Sequence, residues 1–318
     1  GQRGIDDAEW MTAQIADKLG CGPEAVLVCS TGVIGNFLSR DVLQAGLSDV
    51  VEAVNDSADG YLAGATGMMT TDTVPKQSVR DVPVAGGTVR VSGACKGAAM
   101  IAPNMATMLG VVMTDAELTL EQADAFLRKG VDKSFNSVTV EGHTSTSDTV
   151  LLLANGAAEA GPLSADDLAK VEAAILAVCL ELAQAIIRDA EGAAHFVTVQ
   201  ASGFATVEDA RAICRMVSED ALVKTAVTGN DPNWGRIISA CGRTSVKLTE
   251  ENLSLRINGN LIYQSGAPTD FDAAVVSEAM ATGEVVFEIE SDLGNESACF
   301  WTSDLTQEYV RLNSEYTT

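Results

Sequence analysis

The segment from Lys96 to Asp115, KGAAMIAPNMATMLGVVMTD, carries polar side chains inside an apolar run. Its charges stand at its two ends, while Asn104 and Thr107 lie in its middle. We expect such a run to be buried, and buried polar side chains need hydrogen-bond partners or a chemical role. On composition alone, a core segment with a hydrogen-bonded threonine is the simpler interpretation. The alternative is that Thr107 is a nucleophile, whose own amine serves as base once the chain is cut before it.

Other stretches also place hydroxyl or ionisable side chains near predicted turns. The turn Ser30–Gly35 (STGVIG) follows a short apolar stretch at 25–29. Such a turn can present backbone N–H groups to an oxyanion. The stretches 68–73 (MMTTDT) and 141–149 (EGHTSTSDT) are rich in threonine and serine. Taken singly, an ordinary turn or the β-propensity of threonine explains each of them. Likewise, a solvated side chain explains Glu191 and a structural hydrogen bond explains His195.

Composition limits the class of partner. The chain has 318 residues, which is enough for one large domain or two ordinary domains. Its formal net charge is −24 and its basic residues form no cluster, so nucleic acid and anionic membrane surfaces are disfavoured as partners. An anionic substrate would need a local positive side chain, and for this reason a lysine or arginine in apolar surroundings is of interest.

The cysteines and histidines narrow the chemistry. Seven cysteines are scattered without CxxC spacing, which predicts free, mostly buried thiols in a reducing compartment. Two histidines, His143 and His195, supply too little for a histidine-based metal site or a Ser-His triad. We find no signal peptide and no apolar run long enough to cross a bilayer, so we expect a cytoplasmic protein.

Hydrophobic periodicity predicts a mixture of helices and strands. The clearest helix is 165–188, whose apolar residues recur every three or four positions. Gly86-Gly87 and Asn258-Gly259 predict two β-hairpins. Short apolar stretches predict strands at 25–29 and 222–227. Because helices, strands and hairpins are interspersed, we expect a layered α+β or α/β assembly.

Several of these stretches, taken in order, resemble one family. KGAAMIAPNMATML is similar to the self-cleavage segment of the ornithine acetyltransferases, also called glutamate N-acetyltransferases, and STGVIG resembles their oxyanion turn. Five further stretches resemble other segments of the family in the same order: MTTDT, TVEGHTSTSDTVLLLANG, DAEGAAHF, VKTAVTGNDPNWGRI, and the end CFWTSDLT...YVRLNSEYTT. The resemblance spans nearly the whole chain, and an ordered set of motifs is far more specific than a single glycine-rich turn.

The resemblance implies a residue for each role in acetyl transfer. Thr107 would be the nucleophile, after autoproteolysis between Ala106 and Thr107, and Thr31 and Gly32 would form the oxyanion hole. Substrate contacts are implied at Thr70, Lys96, Thr107, Glu191, Asn313 and Thr318. The acetyl group of N-acetylornithine would pass to Thr107 and then to glutamate, in a ping-pong reaction. No cofactor and no metal are implied, and the use of acetyl-CoA as a second acetyl donor stays open.

The resemblance also implies an architecture. It is a layered α/β (α+β) sandwich, processed into an α-chain part, residues 1–106, and a β-chain part, residues 107–318, with two copies of each chain assembling together as α2β2. Family members usually carry a further segment before the position of Gly1. They often have an acidic residue where this chain has His143, to which we assign no role. Two alternatives stay open: an autoprocessing threonine amidase or aminopeptidase that uses water, and an uncut amino-acid-binding protein.

Overall fold

Two β-sheets and the helices packed on them organise the chain in the computed structural model, which describes residues 1–315. The strands are β1 Lys76–Val84, β2 Gly87–Lys96, β3 Leu109–Thr114, β4 Val138–Thr139, β5 Thr149–Ala154, β6 Phe196–Phe204, β7 Leu253–Ile257, β8 Asn260–Gln264, β9 Ala267–Pro268, β10 Glu284–Ser291 and β11 Glu296–Ser303. The α-helices are α1 Gln2–Leu19, α2 Arg40–Ala53, α3 Ala58–Met68, α4 Leu120–Asp132, α5 Ala165–Arg188, α6 Val207–Glu219, α7 Ala221–Thr228, α8 Trp234–Cys241, α9 Ala273–Met280 and α10 Gln307–Glu315. The predicted layered α/β fold is confirmed.

The two sheets differ in size and strand direction. The smaller sheet has the order β1-β2-β3-β5, in which β1, β2 and β3 are antiparallel neighbours and β5 runs parallel to β3. The larger sheet has the order β4-β11-β6-β10-β7-β8-β9. In it, β6 is parallel to β10 and antiparallel to β11. Strands β2 and β3 are the two central strands of the smaller sheet and are hydrogen-bonded to each other. The loop that joins them is therefore anchored at both ends by paired strands.

Helix α5 fills the core of the smaller sheet. The Ser164 hydroxyl accepts a hydrogen bond from the Asp167 N–H and caps its start. Its stripe of Val171, Ile175, Val178, Leu182 and Ile186 is fully buried, and the helix packs mainly against β1 and β2 and also contacts β11. Each such side chain contributes about 1.5–3 kcal/mol of burial free energy. The predicted bounds of this helix are confirmed, because cap and periodicity agree.

The strand predicted at 25–29 is wrong. A 3₁₀ turn occupies Pro23–Ala25, and the chain from Val26 to the start of α2 is irregular. Leu27 is 55% exposed and Val28 is 38% exposed. An isolated strand is unstable without a hydrogen-bonded neighbour, and none of the strands in residues 1–315 pairs with this stretch. The predicted oxyanion turn, which the structure places at 31–36 with its hydrogen bond from Asn36 to Val33, therefore follows an irregular, largely exposed segment and not a buried strand.

The strand predicted at 222–227 is also wrong, because helix α7 occupies this stretch. The Asp220 carboxylate accepts hydrogen bonds from the N–H groups of Leu222 and Val223 and so caps the helix. Four residues, Val223, Lys224, Ala226 and Val227, are buried at helical spacing. The local cap and the packing outweigh the β-propensity of Val and Thr.

Other expectations are confirmed in part. The hairpins at Gly86-Gly87 and Asn258-Gly259 form β1–β2 and β7–β8. The polar end of the chain, for which no element was predicted, contains α10. All seven cysteines are free, four of them buried. No helix among residues 1–315 is long and apolar enough to cross a membrane.

The segment from Lys96 to Asp115 is less uniformly buried than predicted. It begins at the end of β2, runs as an irregular loop from 97 to 108, and continues as β3. Ile101, Ala102 and Met108 are buried, but Asn104 and Ala106 are exposed and Thr107 is half-buried. A buried polar role for Asn104 is therefore wrong, whereas Thr107 stands where an exposed loop enters the core.

Candidate active site

One cavity of about 440 Å³ collects residues from distant parts of the sequence. It lies beside the junction between β2 and the 97–108 loop, next to α10 and to the turn at 31–36. The lining residues are Thr31, Gly32, Val33, Ile34, Thr70, Thr71, Lys96, Ala98, Ala99, Met100, Thr107, Glu141, His143, Glu191, Tyr309 and Asn313. The predicted catalytic and substrate-contact residues of the described chain thus line one cavity, whereas Ala106 of the predicted cleavage site is not among the lining residues and Thr318 lies outside the described residues.

Lys96 is the last residue of β2, and its side chain is buried apart from the face it turns to the cavity. It is only 1% exposed, and its Nζ lies 3.4 Å from the Thr70 hydroxyl. Burial lowers the pKa of Lys96, and the nearby carboxylates of Asp72 and Asp148 partly oppose this shift. A buried ammonium with a weak hydroxyl partner is suited to bind an anionic ligand group.

A buried charge network supports the Lys96 side of the cavity. Asp72 accepts hydrogen bonds from Lys76 Nζ at 2.5 Å, from the Gly97 N–H at 2.7 Å and from the Thr70 N–H at 3.1 Å. Lys76 Nζ also contacts the Asp189 carboxylate at 2.6 Å. Burial alone would raise the pKa of Asp72, but these donors outweigh it and lower the pKa. The network therefore fixes the backbone on both sides of the Lys96–Thr70 contact.

The loop before Thr107 is held by side chains from residues 136–148. The Asn136 side chain receives the Met105 N–H and donates to the Met105 carbonyl, each at 2.9 Å. The Thr107 N–H points to two acceptors, Ser145 Oγ at 2.8 Å and Asp148 Oδ1 at 3.1 Å. The peptide bond between Ala106 and Thr107 thus lies between two fixed points, with Ala106 exposed.

Asp148 is itself tightly positioned. Its Oδ1 also accepts the Met108 N–H at 2.9 Å, and its Oδ2 accepts the Ser145 N–H at 3.2 Å. Burial raises the pKa of Asp148, although the two N–H donors and the positive charge of Lys96 oppose the shift. No role was predicted for Ser145 or Asp148 from the sequence. The sequence feature that could have indicated them is the hydroxyl-rich stretch 141–149, which has a carboxylate near its end.

The turn at 31–36 closes another side of the cavity. Thr31 and Gly32 line it, and the Asn36 N–H donates to the Val33 carbonyl at 3.0 Å, which makes a tight turn. Thr31 is half-buried and Gly32 is exposed. The predicted oxyanion residues therefore face the same space as Thr107.

Glu191 reaches the cavity from the turn between α5 and β6. Its N–H donates to the Ala98 carbonyl at 2.9 Å, which joins this turn to the 97–108 loop. The next residue, Gly192, has φ +67°, and a Cβ at this position would lie 2.4 Å from the Tyr309 nitrogen. Only glycine allows this approach of α10 without a backbone shift. The close contact lets Asn313 of α10 bond the Glu191 carboxylate.

Glu141 also lines the cavity, although no role was predicted for it from the sequence. Its Oε1 accepts the Ile101 N–H at 2.6 Å, and its Oε2 is buried without a hydrogen-bond partner among residues 1–315. Burial raises the pKa of Glu141. The Lys224 ammonium is buried behind it, where it bonds Thr302 Oγ1 at 2.8 Å. Burial lowers the pKa of Lys224 to about 8, against the opposing charges of Asp304, Glu141 and Glu219.

His195 has the structural role that was predicted for it. It is buried, with Nδ1 at 2.7 Å from Asp304 Oδ2 and Nε2 at 3.0 Å from Asn230 Oδ1. The Ala194 N–H also donates to Asp304, at 2.9 Å. These contacts attach the end of the Glu191 turn to β11, and they leave His195 outside the cavity lining.

Comparison with solved structures identifies the class of fold. A crystal structure of the arginine biosynthesis bifunctional protein argJ from Bacillus halodurans is similar to this chain with a TM-score of 0.63 and 32% sequence identity. The similarity covers 65% of this chain and 98% of the solved chain. The mixed α/β fold is thus an ArgJ-like fold.

Sequence comparison gives the family. The ArgJ family model matches residues 1–318, and the chain belongs to the ArgJ family. The arginine biosynthesis bifunctional protein ArgJ of Rhodopirellula baltica is 42% identical over 100% of this chain and 78% of its own length. The protein of the same name from Bacillus subtilis is 39% identical over 100% of this chain and 78% of its own length. The resemblance inferred from the ordered motifs is confirmed.

Proposed function

We propose that the chain transfers the acetyl group of N-acetylornithine to glutamate through an acetyl-Thr107 intermediate. The observation that carries the proposal is the single cavity in which Thr107 lies with Lys96, Glu191 and the Thr31-Gly32 turn. A nucleophile, a cation, an anion and a hydroxyl–amide turn are the groups that acyl transfer between two amino acids requires. The names of the relatives, which place them in arginine biosynthesis, support this choice of substrates.

Thr107 becomes an effective nucleophile only after cleavage of the Ala106–Thr107 bond. A threonine hydroxyl needs a base, and an N-terminal amine has a pKa near 8, close to the operating pH. The location supports the cut, because Ala106 is exposed while both flanking residues, Met105 and Thr107, are held by side-chain contacts.

The reaction then proceeds in two half-reactions. The Thr107 hydroxyl attacks the acetyl carbonyl, while the Thr31 hydroxyl and the Gly32 N–H stabilise the oxyanion. Ornithine leaves, and glutamate enters the same cavity and takes the acetyl group. Because donor and acceptor occupy one cavity in turn, steady-state kinetics should be ping-pong.

The charged residues select amino-acid substrates. Lys96 pairs with the substrate α-carboxylate, and Glu191 pairs with an ammonium group. Thr70, Asn313 and Thr318 complete the proposed contacts. Lys96 supplies the local positive charge that an anionic substrate group needs in a protein whose net charge is −24.

Two further features belong to the proposal. The relatives are named bifunctional, which is compatible with a second activity, and we include acetyl-CoA as a second acetyl donor for glutamate in the proposal. The α-chain part, 1–106, and the β-chain part, 107–318, stay together in an assembly with two copies of each. Size-exclusion chromatography with light scattering checks the assembly, and incubation with acetyl-CoA and glutamate alone checks the second donor.

Cleavage and acetyl transfer are tested together. On a denaturing gel the purified protein should give two bands, cut one third of the way along, with Thr107 as the new N-terminal residue by mass spectrometry. Thr107→Ala should stay uncut and inactive. An active protein with one intact band would overturn the mechanism. Release of free acetate without transfer to glutamate would instead assign an amidase, in which water replaces glutamate.

A further inference from the structure

The amide nitrogen of Thr107 has more acceptors than it needs. A backbone amide carries one hydrogen, yet Ser145 Oγ and Asp148 Oδ1 both lie within hydrogen-bond distance of this nitrogen, at 2.8 and 3.1 Å. A neutral α-amine carries two hydrogens and one lone pair. The two acceptors therefore match the amine that cleavage would create better than the amide that precedes it.

The two acceptors are fixed by contacts that do not involve Thr107. Asp148 receives the N–H groups of Met108 and Ser145, at 2.9 and 3.2 Å. Ser145 Oγ receives the Ser147 N–H at 3.1 Å. Neither side chain depends on the peptide bond before Thr107 for its position. Both would stay in place once that bond is cut.

We propose that Ser145 and Asp148 are positioning residues that hold the Thr107 α-amine and direct its lone pair to the Thr107 hydroxyl. This inference rests on the proposed function. When the two amine hydrogens are donated to Ser145 and Asp148, the lone pair is the one position left, and the hydroxyl of the same residue is within its reach. The pair thus orients the base without itself touching the substrate.

The proton and charge balance of each step follows from this arrangement. As Thr107 Oγ forms its bond to the acetyl carbon, the hydroxyl proton passes to the amine and the carbonyl electron pair forms the oxyanion. The resulting ammonium lies beside the Asp148 carboxylate, which stabilises it. When the oxyanion collapses and the C–N bond of N-acetylornithine breaks, the ammonium returns the proton to the departing ornithine nitrogen.

Asp148 should therefore set the pH at which the amine is free to act. Several charged groups surround this position: Lys96 at the end of β2, Glu141 and His143 before the hydroxyl run, and Glu191 from the turn after α5. Lys96 favours the neutral amine and the carboxylates favour the ammonium. Among the charged side chains of residues 1–315, Asp148 is the one within hydrogen-bond distance of the Thr107 nitrogen, so its charge should have the largest effect.

The experiment compares Asp148→Asn, Ser145→Ala and the exposed control Asp124→Asn, each as the cleaved protein. Asp148→Asn keeps an acceptor but removes the charge. We expect it to lower kcat on the order of 10²-fold and to move the acid limb of the kcat/KM profile to lower pH by about one unit or more. Ser145→Ala should lower kcat without moving that limb, and Asp124→Asn should change neither.

The amine is also titrated directly, by the pH dependence of its reaction with an amine-selective acylating reagent, followed by mass spectrometry. The pKa of the amine should fall in Asp148→Asn. An unchanged pKa and an unmoved limb in a cleaved variant would overturn the inference.

If Asp148→Asn stays uncut, a crystal structure of the cleaved wild-type protein decides: an amine more than 4 Å from both side chains is incompatible with the inference. Failure of cleavage in the wild-type protein would overturn the proposed function itself.

Discussion

Asn313 on α10 donates a hydrogen bond to the Glu191 carboxylate in the turn after α5, with 2.9 Å between Nδ2 and Oε2. The two residues are 122 positions apart in sequence, and both line the cavity. The glycine that follows Glu191 permits the contact, since it lets α10 approach the turn backbone. The last helix therefore positions the acidic side of the cavity.

Glu191→Gln should weaken the binding of N-acetylornithine. The substitution keeps the size and an acceptor for Asn313 but removes the negative charge that, in the proposed function, pairs with the substrate ammonium. Loss of a charge-assisted hydrogen bond costs about 1.5–3 kcal/mol, so KM for N-acetylornithine should rise roughly 10- to 150-fold. Steady-state kinetics measure this, with exposed Glu278→Gln as the matched control. An unchanged KM would remove Glu191 from the ammonium site.

The lowered pKa of Lys96 predicts that the binding of glutamate weakens at alkaline pH. Because burial lowers its pKa from the ordinary lysine value, the ammonium is lost at a lower pH than for an exposed lysine. KM for glutamate should therefore rise as pH increases through that lowered pKa. Lys96→Met should have a high KM, raised roughly 10-fold or more, that no longer depends on alkaline pH. Exposed Lys129→Met is the control, and a variant that keeps the alkaline rise would contradict the assignment.

Substitution of Lys76 tests how much the buried charge network stabilises the fold. Lys76→Met leaves Asp72 and Asp189 without their shared cation in a site where Lys76 is 1% exposed. Removing one partner of a buried ion pair costs about 3–5 kcal/mol of unfolding free energy. The exposed pair Arg128–Asp124 gives the comparison, since solvent screens that pair and Arg128→Ala should cost far less unfolding free energy than Lys76→Met. Urea unfolding measures both, and equal losses would show that the network is not stabilising.

The lowered pKa of Lys224 predicts that the free energy of unfolding increases with pH above about 8. Its folded pKa is about 8, below the usual lysine value, so the unfolded chain binds the proton more tightly. Between pH 8 and the unfolded pKa the unfolded state holds more protons, and unfolding free energy therefore rises with pH, by about 3 kcal/mol in total. Lys224→Met should lack this rise. Denaturant unfolding at pH 7.5 and pH 10 measures it, and a constant difference between variant and wild type would contradict it.

Local signals explain which elements could be predicted from the sequence. Helix α5 has an N-cap at Ser164 and an uninterrupted apolar stripe, and both hairpins have glycine at their turns. The stretch 222–227 lacks such agreement: its apolar residues also fit a short strand, and the deciding cap at Asp220 lies just before it. The stretch 25–29 has strand composition but no neighbour to pair with in the described chain.

The residues that line the candidate site could be named from the sequence, but the contacts between them could not. The ordered motifs indicated Thr31, Lys96, Thr107 and Glu191, which one cavity now brings together. The acceptors at the Thr107 nitrogen were not predicted, because Ser145 and Asp148 reach it across 38 and 41 positions of sequence. Such contacts depend on how β3 and β5 pair, which local sequence does not specify.

Strands β2 and β3 are hydrogen-bonded neighbours, with Lys96 opposite Leu109, and the loop between them contains the proposed cut. A cut there would leave one sheet made of two separate chains. Unfolding would then also be dissociation, so the stability of the mature protein would depend on its concentration, while that of the uncut precursor would not. The chain would fold once as a single molecule, and any later refolding would require two molecules to meet.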